Sequence, residues 1–121
     1  MFKPILLAAA IAFAATSAEA ADARNGKVVF ARCAICHSIQ KGGPNGLGPN
    51  LFGVFGRKVA AVPRFNYSGA LKNSGITWKA DKLKQWVSGP ARMVPGTRMA
   101  FAGISNTAQA DDLVAYIATL K

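Results

Sequence analysis

Cys33-Ala34-Ile35-Cys36-His37 gathers both cysteines and the single histidine of the chain into five residues. Three chemistries use such a cluster. A structural zinc site asks for four Cys or His ligands as a rule, and only these three are available. A redox-active dithiol asks for a strand, turn and helix within a βαβ pattern, and no alternation of strand and helix signals surrounds the motif. A disulfide across two residues would close too short a loop to staple anything. The remaining chemistry is covalent haem attachment. Each thiol adds across one vinyl group, and the adjacent imidazole becomes a ligand of the iron.

With His37 on one side of such an iron, the second axial ligand has to come from elsewhere. Met93 and Met99 are the internal methionines. A lone methionine is most often core filler, so context has to separate them. Met99 follows Pro95-Gly96-Thr97, a turn-forming run that lets the backbone loop back over a flat group, and precedes Phe101 and Ile104. Met93 stands just beyond Gly89-Pro90, near the end of the preceding helix. The turn context favours Met99.

Helices and loops must position these residues. Asp22 can cap a helix running to about the Cys-x-x-Cys segment, with Gly26 either admitting another helix closely or sitting cheaply in a frayed first turn. Ser68 to Asn73 reads as a short helical turn closed by Gly75. Thr77 with Asp81 nearby marks a helix start; Leu83, Trp86 and Val87 then share a face until Gly89-Pro90. Asn106 and Gln109 form a capping-box pattern ahead of Ala110, Leu113, Val114, Ile117 and Leu120 at helical spacing. All but one of the twelve glycines lie between residues 42 and 103. That density argues for loops over sheet, and a buried porphyrin would supply the apolar surface on which long loops pack.

The chain has 121 residues, fifteen Lys or Arg against five Asp or Glu, a net charge of +10 and 51% apolar residues. One small basic folded domain fits this composition, and a disordered polycation does not. Lys3, the apolar run Ile5 to Ala15 and the small-residue box Ala18-Glu19-Ala20 read as a secretory signal peptide over residues 1–20, leaving a domain over 21–121. The apolar run is shorter than the roughly 20 residues a spanning helix needs. An uncleaved anchor is the other reading. Cleavage would remove Lys3 and Glu19 together, so the +10 belongs to the exported domain.

Four segments resemble the class I c-type cytochromes, nearest to the mitochondrial type and its bacterial relatives. They are Ala31 to His37, Gly48 to Arg57, Gly75-Ile76-Thr77-Trp78 and Pro95 to Phe101, in order across essentially the whole of residues 21–121. The resemblance implies an all-α cytochrome c fold of three to five helices and long loops around one haem c held through Cys33 and Cys36. It implies axial ligation by His37 and Met99, with the Pro49 carbonyl orienting the imidazole. It places Tyr67 and Trp78 as hydrogen-bond partners of a haem propionate, Arg57 as the cation offsetting its charge, and Thr97 beside that network. Gly26 and Phe30 on the first helix, with Leu113 and Tyr116 on the last, match the family's crossing terminal helices. Two positions depart: Trp86 stands where a Tyr usually bonds the methionine sulfur, and Leu71 where an Asn often joins a buried water.

Two axial side chains leave no open iron position, and a soft thioether favours the ferrous state. The expected function is therefore a periplasmic monohaem electron carrier, a non-enzyme, working between a quinol-oxidising complex and a terminal oxidase or other periplasmic redox enzyme. A haem peroxidase or gas-binding sensor with a displaceable Met99 is the alternative. The basic balance suits acidic partners such as quinol-cytochrome c reductase, cytochrome oxidase or a periplasmic dehydrogenase; export argues against nucleic acid. Neither stable membrane insertion nor oligomerisation is expected. By family position Arg32, Arg92 and Arg98 ring the haem edge, while Ser105 and Asn106 replace lysines of the mitochondrial proteins.

Overall fold

The first helix, α1 (Ala23–Val29), begins where the sequence supplies a cap: the Asp22 carboxylate accepts from the backbone N–H groups of Arg24 and Asn25. In this computed structural model, which describes residues 2–5, 8 and 20–121, four further helices follow: α2 (Gly69–Lys72), α3 (Ala80–Ser88), α4 (Pro90–Met93) and α5 (Thr107–Ile117). The export segment expected over residues 1–20 lies, apart from residues 2–5, 8 and 20, outside the described residues. Among the described residues no helix is long and apolar enough to cross a membrane. There is no strand among them either, only an antiparallel bridge between Lys58 and Thr77.

The frame is the crossing of α1 and α5. A Cβ on Gly26 would overlap the Asp112 carbonyl and stand 2.8 Å from Tyr116 Cβ. Glycine is therefore required by close approach of two backbones, and the frayed-turn reading of Gly26 is set aside. Phe30 packs its ring against Tyr116 at 5.3 Å between centroids, and Leu113 is fully buried beneath them. Asp112 closes the crossing. One carboxylate oxygen accepts from the Asp22 N–H and the other from the Asn25 side-chain amide, both at 2.7 Å.

Two expectations about helix starts are corrected. Thr77 does not open α3; it pairs with Lys58 in the bridge, and α3 begins at Ala80 with Lys79 in the N-cap position and no side-chain cap. Pairing with a residue far away in sequence outweighed local capping potential. Pro90 ends α3 but also opens α4 as its first residue, where the missing N–H costs nothing, so Met93 belongs to a separate short helix. Ser68 and Asn106 cap α2 and α5 as their sequences suggest, accepting from Leu71 N–H and Gln109 N–H. Only the Asn106 half of the capping box forms.

The buried core runs from Val29 and Phe30 through Leu71, Trp78, Leu83, Trp86 and Val87 to Ile104 and the inner face of α5. Leu51, Val59, Tyr67, Met99 and Phe101 pack against it while remaining half-buried, as does Cys33.

Candidate haem attachment site

After α1 the chain tightens into a 3-10 turn at Phe30–Arg32. Phe30 O then accepts from Cys33 N–H at 2.7 Å, and Cys33 O accepts from both Cys36 N–H and His37 N–H at 3.0 Å. One compact turn therefore carries both sulfurs and the imidazole. The thiols are free and half-buried. Burial pushes the Cys33 thiol up, against a downward pull from the Arg32 guanidinium and a further upward push from Cys36.

His37 is fixed from two directions. Its Nδ1–H donates to the Pro49 carbonyl at 2.7 Å, which leaves Nε2 as the free basic nitrogen. Gly48 lies flat beside the ring: a Cβ there would stand 2.7 Å from Nδ1 and 2.8 Å from Nε2. Burial holds the His37 pKa below the usual imidazole value, opposed by the bond to Pro49, which favours the neutral ring that a metal ligand requires.

The loop that presents Pro49 is organised by a residue the sequence reading passed over. Asn50 is buried; its amide donates to Gln40 O at 2.7 Å and Gly43 O at 3.0 Å, and its carbonyl oxygen accepts from Phe52 N–H at 2.8 Å. Asn45 accepts from Asn50 N–H at 2.9 Å and donates to Pro63 O at 3.1 Å. The available signal was an Asn within a Gly- and Pro-rich run, where its side chain substitutes for backbone partners.

Cys33, Cys36, His37 and Pro49 thus form one hydrogen-bonded unit. Arg57 and Trp78 form another, joined by Trp78 N–H on Arg57 O at 2.8 Å. Tyr67 is tied to its own loop, its hydroxyl accepting from Val62 N–H at 3.1 Å, with the Phe65 ring edge-on at 4.9 Å. Thr97 closes a turn onto Val94 O at 3.1 Å. Neither Tyr67 nor Thr97 bonds to the other candidate residues. Met99 and Met93 are both half-buried against the core; Met99 lies outside any helix, and Met93, on α4, also lines a surface groove of about 430 Å³ with Ser74, Lys82 and Gln85. Trp86 is buried edge-on against Trp78 at 5.4 Å, and Leu71 is buried on α2.

This arrangement fits a haem. Two sulfurs lie on one turn, the imidazole has Nε2 free, and Leu51, Val59, Tyr67, Met99 and Phe101 keep part of their surface uncovered by the core, available for apolar contact with a flat group. Among the described residues no three His, Cys, Asp or Glu side chains converge on a metal position.

The comparisons agree with that geometry. The sequence pattern of the Cytochrome c family matches residues 23–121. The chain is 44% identical over 117 residues to cytochrome c2 of Blastochloris viridis, covering 97% of this chain and 89% of that protein. It is 46% identical over 101 residues to cytochrome c of Euglena viridis, covering 83% and 98%. Among solved structures it resembles cytochrome cH from Methylobacterium extorquens, with a TM-score of 0.76 and 44% identity over 81% of this chain and 98% of that one. The chain belongs to the cytochrome c family, as a monohaem electron carrier whose haem c is attached at Cys33 and Cys36 of the Cys-x-x-Cys-His motif.

Proposed function

We propose that the protein is exported with cleavage after Ala20 and works in the periplasm, carrying single electrons from a quinol-oxidising complex to a terminal oxidase or another periplasmic redox enzyme. The observation that carries this reading is the bond from His37 Nδ1–H to the Pro49 carbonyl, because it fixes the ring and leaves Nε2 free to hold a haem iron. The bound haem supplies a reversible one-electron ferrous/ferric couple.

The chain's own residues do the rest. His37 and Met99 would hold the haem iron from its two sides, which would leave no position for oxygen or substrate. Gly48 and Pro49 hold the imidazole in one orientation, which would limit rearrangement when an electron is gained or lost. Tyr67 and Trp78 would donate to a propionate; the Tyr67 hydroxyl already accepts from Val62 and retains its own proton to give. Arg57, tied through its carbonyl to Trp78, supplies the balancing cation, and Thr97 borders the same network. With Trp86 and Leu71 in place of the family's usual Tyr and Asn, the polar network on the methionine side is altered, which bears on the potential and on how firmly Met99 stays bound. Arg32, Arg92 and Arg98 attract an acidic partner to the haem edge, with weak, salt-sensitive binding that permits release.

Reduction by a purified quinol-cytochrome c reductase and reoxidation by a terminal oxidase test the role. Turnover with both, falling steeply as salt rises, supports it. Hydrogen peroxide consumption or tight gas binding in place of that turnover supports the peroxidase or sensor alternative.

A further inference from the structure

Asn25-Gly26 and Asn45-Gly46 repeat the same dipeptide in different surroundings. Glycine has no Cβ to shield its backbone nitrogen, so after an asparagine that nitrogen can attack the side-chain carboxamide with little hindrance. At the first pair the fold opposes this. Asn25 and Gly26 lie inside α1, Gly26 N–H donates to Asp22 O at 2.9 Å, and the Asn25 amide donates to Asp112 at 2.7 Å. Gly26 is also pressed against the Asp112 carbonyl, so neither residue has room to turn.

The second pair lies outside any helix. Gly46 N–H donates to Gly48 O at 3.0 Å, an acceptor only two residues away. Asn45 Oδ1 accepts from Asn50 N–H at 2.9 Å, which draws charge from Cγ. The nitrogen that would leave, Nδ2, rests on Pro63 O at 3.1 Å. Pro63 is exposed, so water competes for that contact and the carboxamide is released whenever it opens.

We propose that Asn45 is a self-modification site, converted to aspartate or isoaspartate during the protein's working life. Gly46 N bonds to Asn45 Cγ and gives up its proton; the Cγ–Nδ2 bond breaks and ammonia leaves with that proton. Water then opens the cyclic imide at either carbonyl and leaves a carboxylate. Nothing is oxidised or reduced.

The product cannot remake the starting contacts. Aspartate keeps an acceptor for Asn50 N–H but has no donor for Pro63 O, and two acceptors then face each other. Isoaspartate also routes the chain through its side chain, lengthening the backbone ahead of Pro49. The segment released is the one that holds Tyr67, whose hydroxyl accepts from Val62 N–H at 3.1 Å; Arg98 ties the same segment through Asn66 O at 2.8 Å. A new negative charge on the loop that orients His37 through Pro49 favours the ferric state of a bound haem, so conversion lowers the potential. The α1–α5 frame is untouched.

The test incubates wild type, Asn45→Gln and Asn45→Asp, all as holoproteins, at mildly alkaline pH. Peptide mapping by tandem mass spectrometry, enzymatic methylation of isoaspartate and potentiometric titration follow each. Wild type should convert at Asn45, with Asn25 slower by on the order of tenfold or more. Its potential should fall toward that of Asn45→Asp, while Asn45→Gln keeps its starting potential. Asn25 converting as fast as Asn45, an intact Asn45 after the exposed Asn73 has converted, or a wild-type potential in Asn45→Asp overturns the proposal. Mapping and titration need no redox partner, so both readouts stand whichever enzymes exchange electrons with the protein.

Discussion

Gly48 and His37 are in face contact: the ring nitrogens of the imidazole lie 2.7 and 2.8 Å from where a residue-48 Cβ would stand. Pro49, the next residue, holds Nδ1 through its carbonyl. A dipeptide thus fixes both the position and the orientation of the ring, and substitutions at its first residue read out as changes at the iron.

Gly48→Ala should push the imidazole off the Pro49 carbonyl, destabilise the holoprotein by about 1–3 kcal/mol, and change the redox potential. Guanidinium unfolding followed by haem absorbance, together with a potentiometric titration, measures both. A wild-type potential and stability in the variant would show that the ring has room to spare.

Gly26→Val tests the helix crossing separately from the site. The added side chain meets the Asp112 carbonyl and Tyr116 Cβ, so stability should drop by about 3 kcal/mol or more. The potential of whatever protein folds should stay near wild type, because α1 and α5 cross away from His37's partners. A large shift in potential without loss of stability would contradict this.

Asp112 makes the same crossing sensitive to acid. The Asp22 N–H, and then the Asn25 amide, hold its carboxyl below the usual carboxylate value. A depressed folded-state pKa contributes stability above the unfolded value, and that contribution disappears as pH falls through the folded one. Asp112→Asn should therefore melt below wild type at neutral pH, with the gap narrowing in strong acid. Parallel melting curves across pH would argue against the clamp.

Ala60 and Arg64 both adopt left-handed backbone conformations, with φ of 59° and 62°. Glycine removes the Cβ strain at such positions, at some cost in chain entropy. Ala60→Gly should be neutral to stabilising by about 1 kcal/mol, whereas glycine inside a helix destabilises. Denaturation midpoints decide the sign.

The parts of this fold legible in the sequence are those governed by neighbours. Asp22, Ser68 and Asn106 cap helices through bonds spanning two or three residues, and the Cys33 to His37 motif is a single turn. What sequence reading missed depends on distance along the chain. Thr77 is claimed by Lys58, Asp112 by Asp22, and Gly48 by His37, and nothing local announces those partners. Asn50 lies between these cases, its hydrogen bonds reaching back to Gln40 and forward to Phe52. Met99 was separated from Met93 by turn chemistry, and the structure adds that Met93 belongs to α4 and lines a surface groove.

The most direct test of the central claim, axial ligation of a one-electron carrier by His37 and Met99, is the far-red absorption of the ferric holoprotein. The band arising from sulfur-to-iron charge transfer should be present in wild type and in Met93→Leu and absent from Met99→Ala. Its absence from wild type, or its loss in Met93→Leu with retention in Met99→Ala, would contradict that assignment.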